Sequence, residues 1–135
     1  MDEFTAGQLL DWYERIEKGI LLFGEQVPLA SDNERFEAPL LASYLIDAGG
    51  LVDSIFRDMT EETVTVSRGN IRRGDCNIID FSEVHAMKLY LVNTRSIMFV
   101  SPPRTRSPFA SWKNGDTALD WWKAYNALKH DRLVW

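Results

Sequence analysis

The stretch TALDWWKAYNALKHDRLVW, residues 117–135, packs two tryptophans, a tyrosine and a cluster of polar groups into a run without Gly or Pro. At helical spacing Trp121, Ala124, Tyr125, Leu128 and Arg132 share one stripe, and Trp122, Asn126, Lys129 and His130 share the adjoining one. The spacing predicts a helix over 118–134 with a large aromatic face, and such a face requires other helices to cover it. Thr117 with Asp120 makes an acidic variant of the capping box, and Asp116 adds negative charge at the positive end of the helix dipole. No Gly or Pro stops this helix before Trp135, so residue 135 is not expected to be a natural domain edge.

Three other segments supply the expected partners. Thr5 with Gln8 is a capping box, and Leu9, Trp12, Tyr13, Ile16, Ile20 and Phe23 recur at helical spacing, which predicts a helix over 5–23 ended by Gly24 and Pro28. Ser31 with Glu34 opens a second helix over 33–59, with Phe36, Leu40, Tyr44, Leu51, Ile55 and Met59 on its apolar side. Pro39 either marks the true start of that helix or kinks it, and Gly49-Gly50 lets a neighbouring helix approach closely. Asp80 with Glu83 caps a third helix over 81–94 that buries Phe81, Val84, Met87, Leu91 and Val92, with His85 beside the stripe as a packed or surface side chain.

Residues 60–79 read differently. Thr63–Val66 alternates like a strand, and Arg68-Gly69-Asn70 and Arg73-Gly74-Asp75 read as turns. An isolated strand pair is not stable, so this stretch is expected to be a long irregular loop, with Arg68, Arg72 and Arg73 solvated. Ile97–Val100 is an apolar extended run, and SPPRTRSPFASW, 101–112, is a Pro-rich connector pinned by Phe109 and Trp112, with Arg104 and Arg106 exposed. The expected fold is all-α: one domain spanning 1–135, a bundle of about four helices.

A chain of 135 residues, 45% hydrophobic and 26% charged, has the composition of a single globular domain that needs no metal or disulfide staple. The single Cys76 excludes an internal disulfide, and with only two histidines no structural zinc site is expected. Residues 1–20 lack the pattern of a signal peptide, and the longest apolar run is about five residues. The cytoplasm is therefore the expected location, with no membrane partner. Charge is split: residues 1–66 hold 4 Lys and Arg against 14 Asp and Glu, a balance of −10, and residues 67–135 hold 11 against 6, a balance of +5. Two halves that attract each other account for this, as does a nucleic-acid-facing side.

There is no glycine-rich phosphate loop, nucleophile elbow, paired-His zinc motif or cysteine with an adjacent base. Chemistry concentrates on the last helix, where His130 would move a proton, Asn126 stands one turn away, and Lys123, Lys129 and Arg132 would hold a phosphate. Arg104 and Arg106 are candidates for further RNA contacts, and no cofactor or metal is called for.

The pattern WWKAYNALKHDR, 121–132, preceded by SPF and Trp112, resembles the HEPN domains, a helical-bundle superfamily of bacterial toxin–antitoxin and antiphage systems. Many of its members are metal-independent endoribonucleases. Their signature is an Arg, often followed by a polar residue such as Asn, with a His a few residues on along the same helix. Asn126 and His130 match that spacing, Tyr125 stands where the family has Arg, and Lys123 is the nearest upstream cation. The resemblance implies catalytic roles for His130, Asn126 and Lys123, an RNA substrate, a pair whose signature helices meet at the dimer interface, and one more helix of the bundle after residue 135. Apolar residues at Leu133-Val134-Trp135 likewise point to a homodimer or a cognate partner protein. The same residues also satisfy a purely structural reading. In it Trp121, Tyr125 and Leu128 are a core face, and Asn126 with a buried His130 hydrogen-bonds the 101–112 segment.

Overall fold

The Asp2 carboxylate accepts the Thr5 backbone N–H at 2.7 Å and so opens the first helix upstream of the expected box. This helix, α1, runs Glu3–Gln26, and Gly24 lies inside it. The structure, a computed structural model, describes residues 1–27, 39–98, 104–114 and 119–130. The second helix, α2, is Pro39–Asp58, and the expected turns over 33–38 lie outside the described residues.

α2 is the central helix and packs against α1 and against the two helices that follow. It does so with two faces. Towards α1, Gly19 allows the closest approach, since a Cβ there would lie 2.7 Å from the Tyr44 ring. The other face, Leu45, Gly49, Val52 and Phe56, carries the aromatic core. The apolar stripe read from the sequence is the α1-facing one, and two of its members, Leu40 and Met59, are exposed. By length and composition α2 is long and apolar enough to cross a membrane. It also carries Asp47, Asp53, Arg57 and Asp58 and is packed on by three other helices, as a central helix is.

Residues 60–79 are not an irregular loop. Strands β1, Thr63–Val66, and β2, Gly69–Arg72, pair antiparallel with Val64 opposite Ile71, and Gly69 takes the positive φ of 126° that closes the turn. Docking supplies the stability that an isolated pair lacks. Val66 is buried, and Val64 and Ile71 pack against the core. At the turn, Arg68 Nε and Nη2 donate to the two Asp80 carboxylate oxygens at 2.8 and 2.6 Å, and the Ser67 N–H donates to Glu83 at 2.7 Å. Arg68, still about half exposed, is thus paired with Asp80. Behind the hairpin Arg57 is held by Asp53 and donates to the carbonyls of Arg73 and Cys76, which fixes the link into the next helix.

That helix, α3, is Ile78–His85, starting three residues before the expected 81. Its cap is Asn77, whose Oδ1 accepts the N–H groups of Ile79 and Asp80, while Asp80 accepts the Asn77 N–H. It does not run on to residue 94. Tyr90 adopts the left-handed conformation at φ 54°, with Leu91 N–H donating to Ala86 O and Tyr90 N–H to Met87 O, the paired bonds of a Schellman ending. Met87, expected in the core, is consequently 89% exposed. A left-handed non-Gly residue costs roughly 1–2 kcal/mol, and Tyr90 is largely exposed. Tyr90→Gly therefore stabilises the chain by about 1 kcal/mol, checked by urea denaturation; a loss of stability would contradict the assignment.

Strands β3, Ser96–Met98, and β4, Arg104–Arg106, form a second antiparallel hairpin, followed by a 3-10 turn over Ala110–Asn114. The extended run expected at 97–100 is β3 as far as it is described, and part of the expected connector is strand. The last helix, α4, is Asp120–His130. The chain is thus helix-rich with four α-helices and two small hairpins among the described residues, not purely α-helical.

Candidate nucleic-acid interface

The site on α4 is built outward from the core. Phe56 stacks on His85 with centroids 5.4 Å apart and lies 5.7 to 6.0 Å from Phe81, Trp112 and Phe109. Leu119, just before α4, and Trp122 and Tyr125 on it close this cluster, all buried. A Cβ at Gly49 would fall 2.3 Å from the Tyr125 ring, so the ring lies directly on the α2 backbone and the close approach read from Gly49-Gly50 is realised at Gly49. Trp121 Nε1 donates to Pro108 O at 2.8 Å, and its ring meets Phe109 edge-on. Together these contacts fix the rotation of α4 about its axis.

With that rotation fixed, Ala124 and Ala127 point outward and the flank beside Trp122 is left to solvent. Lys123 and His130 are exposed and Asn126 is half-buried, and spacings of three and four residues set them along one line. Lys123 Nζ lies 3.8 Å from the exposed Asp120 carboxylate, a surface pairing too weak to withhold it from a ligand. Lys129 is also exposed, on the flank, with its ammonium 5.3 Å from the Tyr125 ring centroid. Arg104, half-buried, and the exposed Arg106 share one face of β4, a different element from the α4 stripe. Arg132 and the apolar end at 133–135 lie outside the described residues. Among the described residues no group of three His, Cys, Asp or Glu side chains converges to hold a metal.

The two histidines have opposite environments. The alternative in which His130 is buried does not hold; the buried one is His85, at 1% exposure. Thr60 Oγ1 donates to Phe56 O at 2.6 Å, so the His85 Nε2–H points to that hydroxyl at 2.8 Å and to the same carbonyl at 3.1 Å. Nδ1 is buried without a hydrogen-bond partner among the described residues. Protonation would create a buried, unsatisfied N–H, and burial holds the imidazole pKa below its ordinary 6.5. The folded-state pKa is depressed below the unfolded value, so this contribution to stability is fully present above pH 6.5 and is lost as pH falls towards the folded pKa. Stability is expected to decline on acidification from pH 6.5 in the wild type and to lose that slope in His85→Leu, followed by denaturant titration at each pH. An unchanged slope in the variant would assign the decline to other groups.

Compared with models of known protein families, with characterised proteins and with solved structures, the chain has no match.

Proposed function

We propose that this chain is a HEPN-like, helix-rich domain that contacts single-stranded RNA along the solvent side of α4, with weak or no cleavage. The observation that carries the reading is the line of Lys123, Asn126 and His130 along the flank of a helix whose inner side is locked by Trp122 and Tyr125. A cation, an amide and an imidazole held at that spacing suit phosphate and 2′-hydroxyl groups and read little sequence. Tyr125 supports weak cleavage: in the place where the resemblance has Arg, a buried aromatic ring packs on Gly49 and is turned away from any bound phosphate.

A second reading is a metal-independent endoribonuclease of a toxin–antitoxin or antiphage system, favoured by the exposure of His130, since a group that moves a proton must reach its substrate. There His130 would take the 2′-hydroxyl proton and Lys123 would steady the charge growing on the phosphate.

Fluorescence anisotropy with a short labelled single-stranded RNA tests the proposal. Affinity is expected to fall with salt, and Lys123→Ala to weaken binding and lower the slope of log affinity against log salt by about 0.7. His130→Ala is expected to melt with the wild type, because the exposed ring contributes little packing. RNA binding insensitive to both substitutions would sink the proposal, and RNA cleavage by the wild type that His130→Ala abolishes would favour the second reading.

A further inference from the structure

The outer side of α1 combines two features that rarely occur together. Glu3, Leu10, Glu14, Glu17, Leu21 and Glu25 fall at helical spacing on one stripe opposite the buried Ile16, and all six are exposed. Leu10 and Leu21 are 56% and 62% exposed, so an apolar line runs between four carboxylates. No described element covers these side chains, and α1 packs chiefly on α2.

A surface of the opposite character lies at the far end of α3. A cleft of about 820 Å³ opens there between the end of α3, the turn of the β1–β2 hairpin and the 3-10 turn, with Met87, Val92 and Trp112 as apolar wall and Lys113 at its rim. Met87 and the strained Tyr90 stand out from it, 89% and 78% exposed, and the same segment carries the exposed cations Lys88 and Arg95. Glu83, the acid in the cleft, already accepts the Ser67 N–H.

We propose that copies of this chain associate head to tail, the acidic leucine stripe of α1 on one copy docking into the basic, methionine-walled cleft at the end of α3 on the next. Charge complementarity selects the occupant: four carboxylates flank the leucines on α1, while Lys88, Arg95 and Lys113 are exposed on the segments that form the cleft against the one carboxylate of Glu83. Leucines meeting Met87, Val92 and Trp112 would supply the apolar contact. Because the two surfaces differ, the contact is heterologous and does not close at two copies. It is independent of the RNA reading, and of the C-terminal apolar residues from which association was expected.

Sedimentation velocity on two surface variants tests it. Leu10→Ser/Leu21→Ser removes the stripe and Met87→Ser/Lys113→Ser removes the cleft. All four side chains are exposed, and unchanged melting curves are expected to confirm folding. The wild type is expected to form oligomers at low salt that dissociate at high salt, and each variant alone to be monomeric. Mixed in equal amounts, the two variants are expected to form one-to-one dimers and nothing larger, because each retains the surface that the other lacks. A wild type that stays monomeric at low salt, a variant that still self-associates, or a mixture that remains monomeric would each overturn the proposal; the last would assign both surfaces to one symmetric interface.

Discussion

Phe56→Ala is expected to lower stability by about 3–5 kcal/mol, the range for removing a buried aromatic side chain, and to move the melting temperature down by roughly 10–20 °C. The ring is 4% exposed and is the hub at which α2 meets α3, the 3-10 turn and His85. Its loss leaves a void walled by Phe81 from α3 and by Phe109 and Trp112 from the segment of the 3-10 turn. The void also uncovers the stacked face of His85, so the acid-sensitive slope below pH 6.5 should flatten in the same variant. Urea denaturation across pH measures both effects. A change under about 1.5 kcal/mol would mean that this ring does not occupy the centre of the core.

Arg68→Met comes second, and its effect depends on pH. The Asp80 carboxylate is 2% exposed and takes two bonds from Arg68 besides the Asn77 N–H. The Arg68 guanidinium, as the leading cause, holds the Asp80 carboxyl below its ordinary 3.8. Its folded pKa lies under the unfolded one, so this stabilisation is present above pH 3.8 and lost as pH falls through the folded value. Removing Arg68 strands the Asp80 carboxylate. With two of its three bonds gone, the buried carboxylate is left under-satisfied, so Arg68→Met is expected to lower stability at neutral pH, by less than the loss of a fully buried pair would because Arg68 itself is about half exposed. The stranded acid then titrates upwards, so the deficit against wild type should shrink on acidification. Arg68→Met/Asp80→Leu should recover most of the loss, as an apolar replacement of both partners does. A deficit that stays constant with pH would place the effect in lost packing of the arginine stem and not in the ion pair.

The four helices were legible because each shows apolar residues at helical spacing, and the aromatic face of α4 buries Tyr125 as expected, while spacing left open whether His130 is buried or exposed. What escaped was tertiary. Leu45, Gly49, Val52 and Phe56 form a stripe as regular as the one read on α2, but spacing alone cannot tell which of two apolar faces meets the larger core. Asn77 was passed over as a cap in favour of Asp80, which displaced the start of α3, and nothing local announces that Tyr90 takes a conformation usually left to glycine. The hairpin at 63–72 was discounted because a lone strand pair is unstable; its stability comes from Arg68 reaching Asp80, twelve residues away in sequence. On the candidate site, Lys123, Asn126 and His130 were legible because they share one helix. The relation of Arg104 and Arg106 to that stripe was not, since it depends on how separate elements pack.

An NMR titration of the isotope-labelled chain with single-stranded RNA at low salt tests the central claim most directly. The account predicts shift changes concentrated on the Lys123, Asn126 and His130 amides and on the His130 ring, with the His85 ring unmoved. Changes confined to other surfaces, or no changes at saturating RNA, would contradict it.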